Sequence, residues 1–367
     1  MEQIVVASHP GLGRKVARPD EHRAADHGDG STGLVHRGTV VVVIPTYNRR
    51  DLVVQSVKSV LVQTYGDVHC IVVDNGSTDG TADAVTALGD PRVTLVTLNA
   101  PCGAAAARNA GLEAAGSAPW VAFLDNDDIW APTKLERQLA ALAANPGASW
   151  SATACVHVGP DLHVRWAARL RKGPLSPPEG TVVSPPEMIS LLTEDQQVPA
   201  GSSSALASLE LVLETGGFNL DVPGCEDWDL WLRLARRSPL LYIDLPLVAY
   251  RVWDGQTSAN VRAQVRSATV LRARHFPDGG PPSRSYRARW EQEAARRHVA
   301  GRRRARAAGR YVQAAWTGRN PGQLAYAVAA VVAPTLTEER LQRIERARSL
   351  PDGWEEMVEP WLGGWRD

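Results

Sequence analysis

From residue 40 to residue 124 short apolar runs alternate with amphipathic stretches. Val40-Val41-Val42-Val43-Ile44 has no polar position, the pattern of a strand buried on both faces. A helical pattern follows over 51–62, and apolar runs at 68–73, 93–98 and 120–124 are separated by helical stretches at 81–88 and 104–115. Strands alternating with helices of this length predict βαβ units and a parallel sheet. Each of three strands ends in polar, sharply turning sequence: Pro45-Thr46-Tyr47-Asn48, Asp74-Asn75-Gly76-Ser77 and Asp125-Asn126-Asp127-Asp128. Open α/β sheets bind ligands beyond the carboxyl ends of their strands, so the three turns are expected around one crevice.

Beyond residue 130 the alternation fades. Thr133-Lys134-Leu135-Glu136, after Pro132, has the spacing of a capping box and predicts a helix to about residue 145. Strands are expected over 148–158 and 163–168, and 173–186, with five prolines, reads as a loop. A helix over 208–215 should stop at Gly216-Gly217, and another should run over about 227–237 before strands near 240–243 and 247–252. Past residue 260 the chain is Arg/Ala-rich and helical in pattern. The expected parts are a flexible N-terminal extension (1–38), an α/β domain (39–258) with a nucleotide-binding half (39–130) and an acceptor-side half (131–258), and a C-terminal helical module (259–367).

The 367 residues are 44% hydrophobic and 22% charged, an ordinary globular composition. Lys+Arg and Asp+Glu both number 40, so net charge points to no nucleic-acid partner. The four cysteines are scattered without Cys-x-x-Cys spacing, which argues against a disulfide framework or a zinc site. No basic segment followed by an apolar core marks a secretory signal. The apolar stretch 324–333 is too short to cross about 30 Å of hydrocarbon. A cytoplasmic chain without a membrane span is expected.

The segment Val121-Ala122-Phe123-Leu124 runs straight into three carboxylates, Asp125, Asp127 and Asp128. Such charge density favours a compensating cation, and hard oxygen donors suit Mn²⁺ or Mg²⁺ shared with substrate phosphates. Asp74, at a strand end, suits hydrogen bonds to a nucleobase or ribose, or an Asx turn into the next helix. Tyr47 offers a ring for stacking. Arg108 sits on a helix of very small residues, Gly103 to Gly111, from which it can reach phosphate or a base edge. About a hundred residues on, Gly224-Cys225-Glu226-Asp227-Trp228-Asp229-Leu230-Trp231 sets acidic residues before an apolar helix. Its indoles exclude water and would raise a carboxylate pKa as a general base requires, which makes Asp227 the candidate base; Glu226 and Asp229 also suit the helix dipole.

With these residues assembled, the chain resembles the family 2 glycosyltransferases of the GT-A fold. The matching text is Val41-Val-Val-Ile-Pro-Thr-Tyr-Asn-Arg49, Val72-Val-Asp-Asn-Gly-Ser-Thr-Asp-Gly80, Ala107-Arg-Asn-Ala-Gly111, Phe123-Leu-Asp-Asn-Asp-Asp-Ile-Trp130, Gly216-Gly-Phe-Asn219 and Glu226-Asp-Trp-Asp-Leu-Trp-Leu-Arg233. The resemblance implies a Rossmann-like, mostly parallel sheet flanked by helices. It implies a donor of the UDP- or dTDP-sugar type held by the turn residues Pro45, Thr46, Tyr47, Asn48, Asp74, Asn75, Asp125 and Asn126. Tyr47 would stack on the base, Asp74 bond it, Arg108 support the nucleotide, and Asp125 contact ribose or sugar. Asp127 would ligate the metal. Asp227 would deprotonate the acceptor as it attacks the anomeric carbon with inversion. Ser203, in Pro199-Ala-Gly-Ser-Ser-Ser204, together with Glu226 and Trp228, would face the acceptor. One departure stands out: Trp253 replaces a histidine that many relatives carry, and Asp254 is a candidate substitute.

Arginines among alanines over 262–310 suit either a solvated helical face or peripheral contact with an anionic membrane. The acceptor class stays open between a cell-surface glycan precursor and a small secondary metabolite. A nucleotidyltransferase would need a Gly-rich phosphate loop after the first strand, which Pro-Thr-Tyr-Asn is not. A nucleotide-binding scaffold without turnover, using the Arg-rich helices, would have no reason to keep Asp125, Asp127 and Asp227 together.

Overall fold

The structure is a computed structural model that describes residues 3–6, 38–170, 175, 177, 179–193, 195–253, 261–279, 282–300, 303–333 and 350–366. In chain order its first elements are β1 (Gln3–Val6), β2 (Val40–Thr46), α1 (Arg50–Leu61), β3 (Val68–Asp74), α2 (Thr81–Thr86), β4 (Val93–Leu98), α3 (Ala104–Ala114) and β5 (Trp120–Phe123). Then come β6 (Ile129–Trp130), α4 (Lys134–Ala144), β7 (Trp150–Val158), β8 (Val164–Ala168), β9 (Thr181–Val183), α5 (Pro185–Leu191), β10 (Leu206–Ser208), α6 (Leu209–Glu214), α7 (Glu226–Ala235) and β11 (Leu240–Arg251). Helices α8 (Val261–His275), α9 (Arg284–Ala300), α10 (Arg304–Gly318), α11 (Gly322–Val332) and α12 (Trp354–Leu362) follow.

One sheet runs β1-β4-β3-β2-β5-β10-β7-β11-β6, with β8 on β7 and β9 on β11. The first five strands in that order pair in parallel. The antiparallel β10 joins them to β7. Every residue of β2 is buried, as its unbroken apolar run requires, because helices cover both faces of a parallel sheet. Register places Thr46 opposite Asp74 and Val43 opposite Phe123, so the ends of β2, β3 and β5 emerge side by side. Helix α3 lies directly on β2: a Cβ on Gly111 would stand 2.3 Å from Val43, an approach only glycine permits.

Several expectations change. A strand, Gln3–Val6, pairs with β4 inside the stretch expected as a flexible extension, while 7–37 lie outside the described residues. Thr133 forms no capping bond: its neighbour in the proposed box, Glu136, accepts from Thr64 Oγ1 at 2.5 Å instead. The proline-rich loop over 173–186, partly outside the described residues, includes β9 and the start of α5, where Pro185 and Pro186 stand in the first turn that tolerates proline. The two strands expected at 240–252 form one, β11, whose register against β7 shifts around Pro246 because proline cannot donate to the ladder.

Candidate active site

The strand ends and the start of α7 enclose two cavities that share a wall. The first, about 440 Å³, is lined by Pro45, Thr46, Tyr47, Arg49, Asn75, Arg108, Asp125, Asn126, Asp127, Glu226 and Asp227. The second, about 460 Å³, is lined by Asp125, Gln196, Asp227, Trp228, Tyr250 and residues of α9. Asp125 and Asp227 belong to both, and the candidate base therefore stands between them.

In the first cavity Tyr47 is 45% exposed, a ring standing in the mouth. Thr46 is buried, and its hydroxyl, without a partner, lines this cavity. Asn75 Oδ1 accepts from the Cys102 N–H at 2.9 Å. Asp74 and Asn48 do not line the cavity. Asp74 is buried and accepts from the Ser77 N–H at 3.0 Å, a local bond within its own turn. Asn48, at φ 50°, accepts from the Thr78 N–H at 2.8 Å while its own N–H donates to Ser77 Oγ. Asn48 thus locks the first turn to the second.

The aspartate turn divides its labour. Asn126 Nδ2 donates to the Pro45 carbonyl at 2.8 Å, tying β5 to β2. Asp128 is fully buried; it accepts from Ser203 Oγ at 2.6 Å and from the Arg251 N–H at 3.0 Å, and burial followed by repulsion from Asp127 and Asp125 raises its pKa well above the ordinary range. Ser203 also accepts from the Asp125 N–H at 3.0 Å. It lies beneath the turn and holds it, away from the acceptor side on which it was expected. Arg251 donates from Nε to the Asp127 carbonyl at 2.8 Å and from Nη2 to Gln55 Oε1 at 2.8 Å. Asp127, freed from these tasks, has its pKa raised from 3.8 to about 6 by burial and then by Asp125, with the Trp253 N–H working against both.

Trp253 Nε1 donates to Asp127 Oδ2 at 2.8 Å, and the Arg49 guanidinium lies 4.6 Å over the same indole. An indole N–H is donor only and ligates no metal, so Trp253 orients the carboxylate instead of joining it. Asp254 lies outside the described residues. Among the described residues no three His, Cys, Asp or Glu side chains converge on one cation position.

Arg108 is buried and bridges two elements: Nη2 meets Asp125 Oδ1 at 2.5 Å and Nη1 meets Glu226 Oε1 at 3.0 Å, with the Phe218 ring 5.2 Å away. Coulombic attraction from Asp125 and Glu226 outweighs its desolvation and fixes it as a cation. This triad ties α3 to the end of β5 and to the first turn of α7, and so places Asp227. Asp227 Oδ1 accepts from the Trp228 N–H at 2.7 Å and Oδ2 from Gln196 Nε2 at 3.3 Å. Burial, then Glu226, raises its pKa to about 6 against the pull of Arg108. Two residues on, burial of Asp229 is overridden by His275, Arg233 and Asn219, and its pKa falls to about 2. Opposite shifts on one helix separate a carboxylate able to take a proton from one that only anchors. Trp228 is buried, with Nε1 donating to the Leu192 carbonyl at 2.8 Å.

Gly201, Gln196, Tyr250 and Arg251 were not singled out from the sequence. Gly201 has φ 51°, and a Cβ there would stand 2.7 Å from Asp227 Oδ2. A glycine inside Ala200-Gly201-Ser202 was the available sign of close backbone approach. Nothing in the sequence marked Gln196.

Residues 41–179 match the family model described as Glycosyl transferase family 2. The chain carries a family 2 glycosyltransferase domain. The Escherichia coli UDP-Glc:alpha-D-GlcNAc-diphosphoundecaprenol beta-1,3-glucosyltransferase WfaP is 28% identical over 238 residues, 64% of this chain and 86% of that one. WfgD, an E. coli protein of the same description, is 41% identical over 106 residues, 29% of this chain and 42% of its own length, so the likeness spans under half of that relative. The solved S. aureus TarS 1–349 in complex with UDP-GlcNAc superposes with TM-score 0.52 at 16% identity over 89% of this chain and 92% of that one, which shows a shared GT-A fold. Among the described residues no helix is long and apolar enough to cross a membrane.

Proposed function

We propose that the chain transfers a sugar from a UDP- or dTDP-type nucleotide sugar to an acceptor hydroxyl with inversion, using Asp227 as general base. The supporting observation is that Asp227 stands in the wall common to both cavities, with Asp127 inside the first. A base so placed can take the acceptor proton from one side while the anomeric carbon lies on the other, opposite the leaving diphosphate. The Trp228 N–H and Gln196 hold the carboxylate, Arg108 fixes the neighbouring Glu226, and the raised pKa of Asp227 keeps it basic enough to accept a proton near neutral pH. WfaP and WfgD are named for transfer from UDP-Glc to a diphosphate-linked GlcNAc, which favours the glycan-precursor acceptor over a small metabolite.

The donor cavity suits a divalent cation of the Mn²⁺ or Mg²⁺ kind. Asp127 commits one oxygen to Trp253 and keeps the other, and Asp125, on the same turn, adds a hard oxygen donor. Mg²⁺-like ions are held in just this way, by one or two carboxylates with substrate phosphates and water completing the shell. When bound, the ion neutralises charge developing on the leaving diphosphate. Calorimetric titration with UDP in the presence and absence of Mn²⁺ tests the assignment. Wild type should bind UDP at least tenfold tighter with Mn²⁺, and Asp127→Ala should lose that gain; equal gains in both proteins would remove Asp127 from the metal site.

A further inference from the structure

The C-terminal helices leave an apolar surface uncovered. Among the described residues, six of the fourteen exposed large hydrophobic side chains lie on α10 and α11, so they are concentrated and not scattered. On α10 the exposed Ala305, Gly309, Val312 and Trp316 recur at i, i+4, i+7 and i+11, which is one helix face, while Ala307, Tyr311, Ala314 and Ala315 bury the opposite one. Helix α11 carries no charged side chain: Ala327 and Ala330 are buried, and Leu324, Val328, Val331 and Val332 are exposed. Trp316 is 84% exposed and Val332 78%. Tyr311 stacks on Tyr326 at 5.5 Å between ring centroids and so joins the two helices. A helix that is apolar on every side calls for a cover on its outer face too.

Charge says what the cover is. Residues 261–333 hold fifteen arginines against Asp278, Glu291 and Glu293, in a chain whose Lys+Arg and Asp+Glu both number 40. The positive excess is therefore local to these helices. Beside the α10 stripe a cavity of about 450 Å³ is lined by Arg262, Arg306 and Arg310 together with Gly309 of the stripe itself. Its one acid, Glu291, is paired with Arg310 at 2.7 Å, and Arg262 and Arg306 are exposed. An apolar face edged by arginines fits both layers of an anionic lipid surface, acyl chains for the valines and headgroup phosphates for the guanidiniums. The indole of Trp316 suits the boundary between the two layers. A nucleic acid would satisfy the arginines but offers no apolar phase for Val328, Val331 and Val332. A second copy of the chain would bring like charges face to face.

We infer that the α10–α11 pair docks on an anionic lipid bilayer, with Val312, Trp316, Leu324, Val328 and Val332 at the acyl boundary and Arg262 and Arg306 against lipid phosphates. The chain then works at a membrane surface that none of its described helices crosses. None of these residues lines either cavity of the candidate active site, so the inference goes beyond the transferase reading and does not depend on it.

Co-sedimentation of the full chain with vesicles tests it. The wild type should bind vesicles of phosphatidylglycerol and phosphatidylcholine in equal parts at least about tenfold tighter than phosphatidylcholine alone, since each arginine near an anionic surface gains roughly fivefold. Raising salt from about 0.1 M to about 0.5 M should remove most of that preference as the Debye length shortens. Val328→Asp with Val332→Asp, and separately Trp316→Ser, should each lower affinity for the anionic vesicles at least about tenfold through lost apolar burial. Arg262→Gln with Arg306→Gln should lower it about tenfold and leave binding to neutral vesicles unchanged. All five positions are exposed, so melting temperature and UDP affinity should match wild type, which keeps loss of docking apart from loss of fold. Equal binding to both compositions, no sedimentation with either, or variants that bind like wild type would overturn the inference. So would a chain that ignores vesicles and forms dimers in light scattering that the two aspartates dissociate, which would assign the surface to a second copy.

Discussion

Replacing Asp227 by Asn separates the cost of the base from its use. Burial and Glu226 raise the acid from 3.8 to about 6. At about 1.4 kcal/mol for each tenfold change in proton affinity, that corresponds to at most about 3 kcal/mol of preference for the neutral form. The folded protein holds this proton up to about pH 6 while the unfolded chain releases it near 3.8. Stability therefore falls as pH rises through that interval, and the whole cost is present above it. Asn is neutral at every pH and nearly isosteric. It can still accept from the Trp228 N–H, and rotating the Gln196 amide would offer its Oε1, which has no partner, to the new NH₂ group. The variant should melt roughly 5 °C higher than wild type at pH 7.5, on the order of 2 °C for each kcal/mol, with the gain shrinking toward pH 5. Its transfer rate should drop by about 10²- to 10⁴-fold, the range for a lost general base. Wild-type kcat/KM should rise with pH through about 6 and then level. Differential scanning fluorimetry across pH, with mass detection of released nucleoside diphosphate, measures both effects. A variant that keeps its turnover, or is less stable than wild type at pH 7.5, would refute the reasoning.

Two further substitutions probe the frame around the base. Gly201→Ala places a methyl 2.7 Å from Asp227 Oδ2 at a positive φ, so kcat should fall at least about tenfold with a loss of about 1–2 kcal/mol in denaturant unfolding, while UDP affinity moves little. Arg108→Met leaves the buried Glu226 without its counter-charge and should cost about 3–5 kcal/mol, read as a lower urea midpoint; Glu226→Gln in the same chain should recover part of it.

The stretch from residue 40 to residue 130 was legible because its signals are local. β2 announces itself through five consecutive β-branched residues, and the turns after β2, β3 and β5 carry their chemistry within four residues of the strand end. What stayed hidden depends on distant chain. Asp128 reads like its neighbours, yet Ser203 and Arg251 draw it into the core. Thr133 has the spacing of a cap, but Thr64 across the fold claims Glu136 and the box does not close. The register shift in β11 is set by Pro246 meeting its neighbour β7, and short strands such as β6 and β10 exist only through the partners they join. The contribution of α9 to the second cavity arises from packing, since an Arg/Ala helix has no apolar stripe sharp enough to show which side faces inward.

The bridge from Arg108 to Glu226 spans 118 positions of sequence. An engineer who grafts a foreign segment carrying α7 onto the strands and helices of residues 40–130 would therefore import a partner for a guanidinium already sealed in the scaffold. A graft lacking an acid at that site would misplace the carboxylate that follows it, so compatible parents can be chosen by reading two positions before any cloning begins.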